Sequence, residues 1–340
     1  MAERYVESLN RALHEMMADD ERVYLIGEDV HDPYGGAFKV TRGLSTAYPN
    51  RVLGAPISEA AITGFAAGMA LRGLRPVLEI MFGDFLTLAA DQLVNGATKF
   101  NWMYNGRVTV PLVVRAPMGG RRGYGPTHSQ SLETLFFNVP GLTILAPSHF
   151  HDPGALLRHA VLEDASPVLF VENKLLYPLR LEQPENGRAG DWHVEVVAPE
   201  SPYPTLRLVA DPAETPTVTL LAYGGMAPLA LEAAMNALVR DEILVEVLLP
   251  SRVKPFPVAD VAGFVRKSGR AVIAEESPRE GGWGAEMAAR LMESAFADLR
   301  APIARVGAKE TPIPASMPLE KHVLPQVADI EAALRAVARS

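Results

Sequence analysis

The chain contains no cysteine. That excludes disulfides, thiolate catalysis, cysteine-ligated zinc and iron–sulfur clusters, and it suits a reducing, cytoplasmic setting. No apolar run is long enough to cross a bilayer. The opening stretch MAERYVESLNRALHEMM spaces its apolar residues and carries acids, so it reads as an amphipathic helix rather than a signal or transit peptide. Charge of one sign is lacking as well. The 32 Lys and Arg and 40 Asp and Glu are mixed along the chain, for a net −8. Neither nucleic acid nor a membrane surface is expected as the main ligand. There is no Ser/His/Asp order with a nucleophile elbow, no P-loop lysine-and-hydroxyl pattern and no dinucleotide fingerprint. Repeats and low-complexity tracts are absent.

What remains is a globular composition, 48% hydrophobic and 21% charged over 340 residues, enough for roughly two domains with good cores. Short β-branched runs alternate with helical patterns. RVYLIG, RPVLEIMF, PLVVRA (111–116), LTILAP (142–147) and PVLFVE (167–172) are separated by helices expected at 58–73, about 84–103 and 151–163. Such alternation predicts a mainly parallel sheet covered on both faces. Six prolines and several acids in 182–216 read as an interdomain connection, with room for some strand of its own. The alternation resumes with TVTLLAYG and ends in a helix near 326–338. The expected organisation is α/β with two doubly wound domains, 1–181 and 217–340, joined by 182–216.

Ligands of such sheets bind beyond the carboxyl ends of the strands. That rule selects the loops after YLIG, after RVLGAP, after LEIMF and after VVRAP. The second of these opens GAPISEAAITGFAAGMALRGLRP (54–76), a helix with no charge between Glu59 and Arg72. Its circumference is apolar throughout, which predicts burial. Ser58 is a plausible N-cap, and an acid beside it complements the helix dipole. A buried glutamate, however, is rare without a partner, and the many small residues suggest close approach by another element. The fourth loop, PMGGRRGYGPTHSQS, holds His128 among glycines and arginines. It is either a solvated turn or a binding loop. Other histidines, at 14, 31, 149, 151, 159, 193 and 322, fall mostly on expected exposed helices or connections, and His149 with His151 lacks an acidic third metal ligand. AYGGMAPLALEAA reads as a tight strand-to-helix turn, and AEESPREGGWGAE as a solvated rim or a docking surface.

IGEDV, GGAFKVTRGL, RVLGAPISEAAITGFAAGMALRGLRPVLEIMF, DFLTLAADQLVNGATKF, HSQSLETLFFNVPGL, SPVLFVENKLLYP, LLAYGGM and EESPREGGWGAE occur in this order. The set resembles the beta subunits of the thiamine-diphosphate-dependent, decarboxylating component of 2-oxo acid dehydrogenase complexes. The resemblance runs from about residue 4 to residue 335. It implies an N-terminal transketolase-like pyrimidine-binding domain and a C-terminal transketolase-like domain. It also implies oxidative decarboxylation of a 2-oxo acid, with acyl transfer to a lipoyl group.

In the family a glutamate hydrogen-bonds ring nitrogen N1′ of the cofactor, and Glu59 stands at the matching position. A carboxyl in apolar surroundings favours its neutral form and can share a proton there. By the same resemblance Glu28 lies near the pyrimidine edge. Ile57, Ser58 and Met81 line the ring, Phe85 stacks on it and Phe82 faces the substrate. His128 stabilises the negative substrate or relays protons during acyl transfer. Leu112, Ala160, Val161 and Asp164 fall where some members hold potassium, although the loop EDASP is one residue longer than in some relatives. The family's Gly-Asp-Gly motif for magnesium and diphosphate is missing here. The resemblance therefore implies an alpha subunit, in an alpha2-beta2 assembly, that holds magnesium and the far end of the cofactor. It implies a lipoyl acyltransferase as a further partner. KFNWMYNGRVTVP, Pro178 and Arg121–Arg122 depart from the relatives on the substrate side. The alternatives are a two-chain transketolase-like carboligase and a non-catalytic assembly subunit.

Overall fold

The computed structural model describes residues 3–340; the first two residues of the expected first domain and N-terminal helix lie outside them. The described chain divides into two units. One gathers the residues up to Met118 together with Leu135–Leu145 and Asp152–Leu181. The other gathers Gly119–Thr134, Ala146–His151 and Glu182–Ser340.

The first unit opens with α1 (Tyr5–Asp19), whose Tyr5, Leu9, Ala12, Leu13, Met16 and Met17 recur at helical spacing and are all buried. The Glu7 carboxylate accepts the Arg4 N–H at 2.8 Å, satisfying a donor that the first turn leaves orphaned. There follow β1 (Val23–Gly27), α2 (Leu44–Ala47), β2 (Val52–Gly54), α3 (Glu59–Leu71) and β3 (Arg75–Glu79). A helical passage then runs through a 3₁₀ turn at Gly83–Phe85, α4 (Leu86–Asp91), a π-helical stretch Gln92–Ala97 and α5 (Thr98–Met103). The unit closes with β4 (Val113–Met118), β5 (Thr143–Leu145), α6 (Pro153–Leu162) and β6 (Val168–Asn173).

These six strands pair in parallel in the order β5-β6-β4-β3-β1-β2. The chain runs from β1 out to β2, then crosses back to β3 on the other flank of β1. That reversal leaves a crevice outside the carboxyl end of β1, where such sheets bind ligands. β4 and β6 are buried along their whole length, as expected for parallel strands covered on both faces.

The second unit comprises β7 (Arg188–Ala189), β8 (Trp192–Val197), β9 (Thr205–Val209), β10 (Val218–Ala222), α7 (Ala227–Asp241), β11 (Val245–Pro250), β12 (Arg252–Lys254) and α8 (Val258–Ser268). It continues with β13 (Ala271–Pro278), α9 (Trp283–Ala295), β14 (Ala304–Ala308), α10 (Met317–Val323) and α11 (Val327–Ala338). Its sheet has the order β14-β13-β10-β11-β9-β8-β7. The first four strands are parallel, whereas β9, β8 and β7 are added antiparallel. Leu220, Val247, Val272, Ala230, Ile330 and Leu334 form the centre of its core. Burying each of the larger side chains contributes about 1.5–3 kcal/mol.

The structure adds to or alters the sequence reading in four places. Residues 182–216 supply β7–β9 to the second sheet; their prolines lie at the strand ends, where no ladder N–H is needed. The helix expected over 84–103 is interrupted by the π-helical stretch. α3 is not buried all round: Ala60, Ala61, Phe65 and Gly68 face outward, Phe65 with 58% of its surface exposed. His149 and His151, which lie just before α6, are buried. Burial pushes both imidazoles down to about 4, so both are neutral in the fold.

Candidate active site

Several of the expected site residues meet at the carboxyl edge of the first sheet. Glu28 leaves β1, and Glu59 opens α3 after the short strand β2. Met81, Phe82 and Phe85 follow β3. Glu28 is 5% exposed and Glu59 is 4% exposed. The Ser58 N–H donates to the Glu28 carboxylate, which ties the loop before α3 to the end of β1. Burial first, and the neighbouring charge of Glu59 second, raise the Glu28 carboxyl above its ordinary value. Glu28 Oε1 is buried and has no hydrogen-bond partner among the described residues. Two neighbouring buried acids with an acceptor atom left over form a receptor for a donor.

The other expected site residues at this edge are more exposed. Ile57 is 82% exposed, while Ser58, Met81, Phe82 and Phe85 are half-buried. The Phe82 ring packs edge-on against Phe85 at 6.2 Å and against Phe38 at 5.8 Å. Phe38 in turn stacks on Tyr177 at 5.1 Å. Lys174 Nζ lies 5.1 Å from the centre of the Phe82 ring, a cation–π arrangement.

Beneath the aromatic rings lies a second set of carboxylates that sequence reasoning missed. Arg115 is fully buried. Its Nη1 donates to Glu79 Oε2 at 2.7 Å, and its Nε and Nη2 donate to Glu172 Oε1 and Oε2 at 2.7 and 2.8 Å. The Tyr177 hydroxyl donates to Glu172 Oε2 at 2.7 Å, and the Ala37 N–H donates to Glu79. Burial alone would lower the Arg115 guanidinium, but the charges of Glu172 and Glu79 outweigh it and hold it above its ordinary value. The cluster fixes the loop carrying Phe38. Gly36, at φ +77°, is the only residue type that fits there, since a Cβ would stand 2.5 Å from Glu79 Oε1. The signal was in the sequence: EIMF, VVRAP and VENK each place a charge at the end of an apolar strand.

His128 belongs to the second unit and is half-buried, with Nδ1 3.0 Å from the Thr127 hydroxyl. The remaining expected site residues lie at the opposite, amino edge of the first sheet. Leu112 precedes β4, and Ala160, Val161 and Asp164 precede β6. Arg75, the first residue of β3, directs Nη1 at the Val161 and Asp164 carbonyls at 2.6 and 3.2 Å. The Leu112 carbonyl accepts the Val168 N–H at 2.9 Å.

Residues 3–180 match the transketolase pyrimidine-binding domain, and residues 209–330 match the transketolase C-terminal domain. The chain is 39% identical over 336 residues to the mitochondrial pyruvate dehydrogenase E1 component subunit beta-2 of Oryza sativa subsp. japonica. That match covers 98% of this chain and 86% of the relative. The chain belongs to the E1 beta-subunit family. Within it, the pyruvate dehydrogenase E1 component subunit beta of Rickettsia bellii is 36% identical, covering 97% of each chain. The beta subunit of the acetoin:2,6-dichlorophenolindophenol oxidoreductase of Cupriavidus necator is 34% identical, covering 96% of this chain and 95% of its own. A split-gene transketolase, solved as an inactive beta4 tetramer, shares the fold at a TM-score of 0.70 and 20% identity, covering 100% of this chain and 99% of that one. The two-domain α/β expectation therefore holds for this E1 beta chain. Among the described residues no helix is long and apolar enough to cross a membrane.

Proposed function

We propose that this chain is the pyrimidine-gripping subunit of a thiamine-diphosphate-dependent 2-oxo acid dehydrogenase. In this reading it works in an alpha2-beta2 assembly and passes an acyl group to the lipoyl group of an acyltransferase. The observation that carries the reading is the acid pair Glu28 and Glu59, buried side by side with Glu28 Oε1 unsatisfied. An aminopyrimidine fits these residues. Its ring nitrogen and exocyclic amine are polar groups of the kind the pair lacks. Its face suits the half-buried Phe85 ring, and its bulk would cover the exposed Ile57. When bound, the cofactor supplies the electron sink that decarboxylation of a 2-oxo acid requires.

The chain's own residues do the rest. Glu59, buried at the first turn of α3, would share a proton with ring nitrogen N1′. Glu28, its carboxyl raised by burial and by the charge of Glu59, offers its unpartnered Oε1 to the pyrimidine edge. Ile57, Ser58 and Met81 line the ring, Phe85 stacks on it, and Phe82 faces the substrate. His128 stabilises the anionic substrate or moves a proton during acyl transfer. Magnesium and the diphosphate fall to the alpha chain, because no Gly-Asp-Gly occurs in this sequence. The open face of α3, with Ala60, Ala61, Gly68 and the exposed Phe65, suits that partner's approach. Potassium does not fit Leu112, Ala160, Val161 and Asp164. The Arg75 guanidinium already brings a positive charge to the Val161 and Asp164 carbonyls, and a second cation there would be repelled.

Co-expression with an alpha chain bearing Gly-Asp-Gly, followed by a panel of 2-oxo acids in a dye-reduction assay, tests the reading. Thiamine-dependent turnover of at least one 2-oxo acid is expected. Turnover of none of them, or thiamine-dependent activity in this chain alone, overturns it.

A further inference from the structure

The loop that carries His128 follows β4 of the first sheet, yet it is built into the second unit. Its backbone explains how. The Gly120 N–H donates to Glu276 Oε1 at 2.6 Å. The Arg121 and Gly123 N–H groups donate to the two oxygens of a single carboxylate, Glu320, at 2.6 and 3.0 Å. Gly119, Arg121 and Gly123 have φ of +91°, +71° and +68°, and this alternation turns successive N–H groups to the inside of the loop. Such a concavity binds anions. Here the anion is a side chain of the same unit: Glu320, on α10, is 2% exposed.

Further contacts surround it. Arg121 Nη2 donates to the Pro325 carbonyl, and its Nε lies 3.8 Å from Glu276 Oε2. A Cβ on Gly120 would stand 2.5 Å from Leu324 Cδ1 and 3.0 Å from Glu320 Oε1, so any larger residue must push these side-chain ends aside. At the far end of the segment the Tyr223 hydroxyl donates to Glu133 Oε1 at 2.6 Å. His128 lies between these two anchors.

We infer that Glu320, assisted by Glu276, is a positioning residue that clamps the glycine-rich loop and so sets where His128 stands. The inference rests on the reading of His128 given above. It adds that the acyl-transfer half of the reaction depends on a carboxylate near the C-terminus that touches no reacting group. Carboxylate-to-amide hydrogen bonds are charge-assisted and stronger than neutral ones. An amide at position 320 loses that charge and presents a donor where two N–H groups need an acceptor.

The test uses the co-expressed alpha–beta complex carrying Glu320→Gln, with Glu276→Gln as a second variant should the first assemble poorly. Hydrogen exchange of peptides spanning 119–127 is expected to accelerate, with peptides of the β10, β11 and β13 core unchanged. Reductive acylation of a lipoyl domain is expected to fall roughly a hundredfold, the scale of an ångström-sized misplacement. Decarboxylation read with an artificial electron acceptor falls much less. Adding Glu320→Gln to His128→Ala is expected to cost nothing more in acylation. Unchanged exchange in the loop, or fully additive losses in the double variant, overturns the inference. If His128→Ala alone leaves the ratio of the two half-reactions untouched, the role given to His128 fails, and the exchange result still decides the clamp.

Discussion

Two sets of buried carboxylates stand at the same edge of the first sheet, and they are treated differently. Glu79 and Glu172 share the fully buried Arg115, with the Tyr177 hydroxyl and the Ala37 N–H completing the set. Glu28 and Glu59 are both buried, the charge of Glu59 raises the Glu28 carboxyl, and Glu28 Oε1 has no hydrogen-bond partner among the described residues. A buried charge whose valences the fold satisfies is a structural element. A buried acid left short of a donor costs stability and persists where a ligand completes it. The Arg115-paired set holds the loop before Phe38 and the Tyr177 ring on which Phe38 stacks, and in the proposed reading the open pair receives the pyrimidine.

The largest expected effect comes from the open pair. Glu59→Gln, in the alpha–beta complex, should lower kcat by about 10²–10⁴, the range for loss of a positioned proton-transfer group. Melting temperature and assembly should hold. Turnover close to wild type would erase the functional half of the comparison.

The set paired through Arg115 should behave in the opposite way. Arg115→Met leaves two buried carboxylates unpaired and should cost about 3–5 kcal/mol in denaturant unfolding. Replacing Arg115, Glu79 and Glu172 together with apolar residues should restore most of that loss. A single variant as stable as wild type would show that the cluster does not hold the sheet edge.

On the partner side, Phe65→Glu on the open face of α3 should leave the thermal unfolding of the beta chain unchanged while weakening capture of the alpha chain at least tenfold in pulldown titration. Undiminished capture would move the interface elsewhere.

The smallest effect is electrostatic. Because the folded-state pKa of Glu28 is raised, its contribution favours folding at low pH and is lost as pH rises above the ordinary carboxylate range. Glu28→Gln should therefore raise the melting temperature of the isolated chain at pH 8, with the gain shrinking toward pH 4. His149 and His151 run the other way. Lowered to about 4, they let stability fall as pH drops from 6.5 toward 4, a limb that should flatten in a melting series on a variant lacking both imidazoles.

Much of this was legible in the sequence. The alternating pattern gives two α/β layers, and a lone acid heading a charge-free helix picks out Glu59. The Arg115 cluster was not read, because EIMF, VVRAP and VENK become neighbours only through the order β3-β4-β6, which no local pattern encodes. The outer face of α3 was misjudged for a related reason: uniform apolarity marks burial without saying whether this chain or another supplies the cover. Glu320 escaped notice because its partners, Arg121 and Gly123, lie 199 and 197 residues away along the chain. The burial of His149 and His151 just before α6 has no local signal either, because it comes from tertiary packing.

The most direct measurement is the rate at which the cofactor's C2 proton exchanges with deuterium in the assembled complex, followed by quenched-flow NMR in wild type and in Glu59→Gln. An acid pair reserved for the pyrimidine requires that exchange slow by at least a hundredfold in the variant, with cofactor still bound. Equal rates in the two proteins would contradict it.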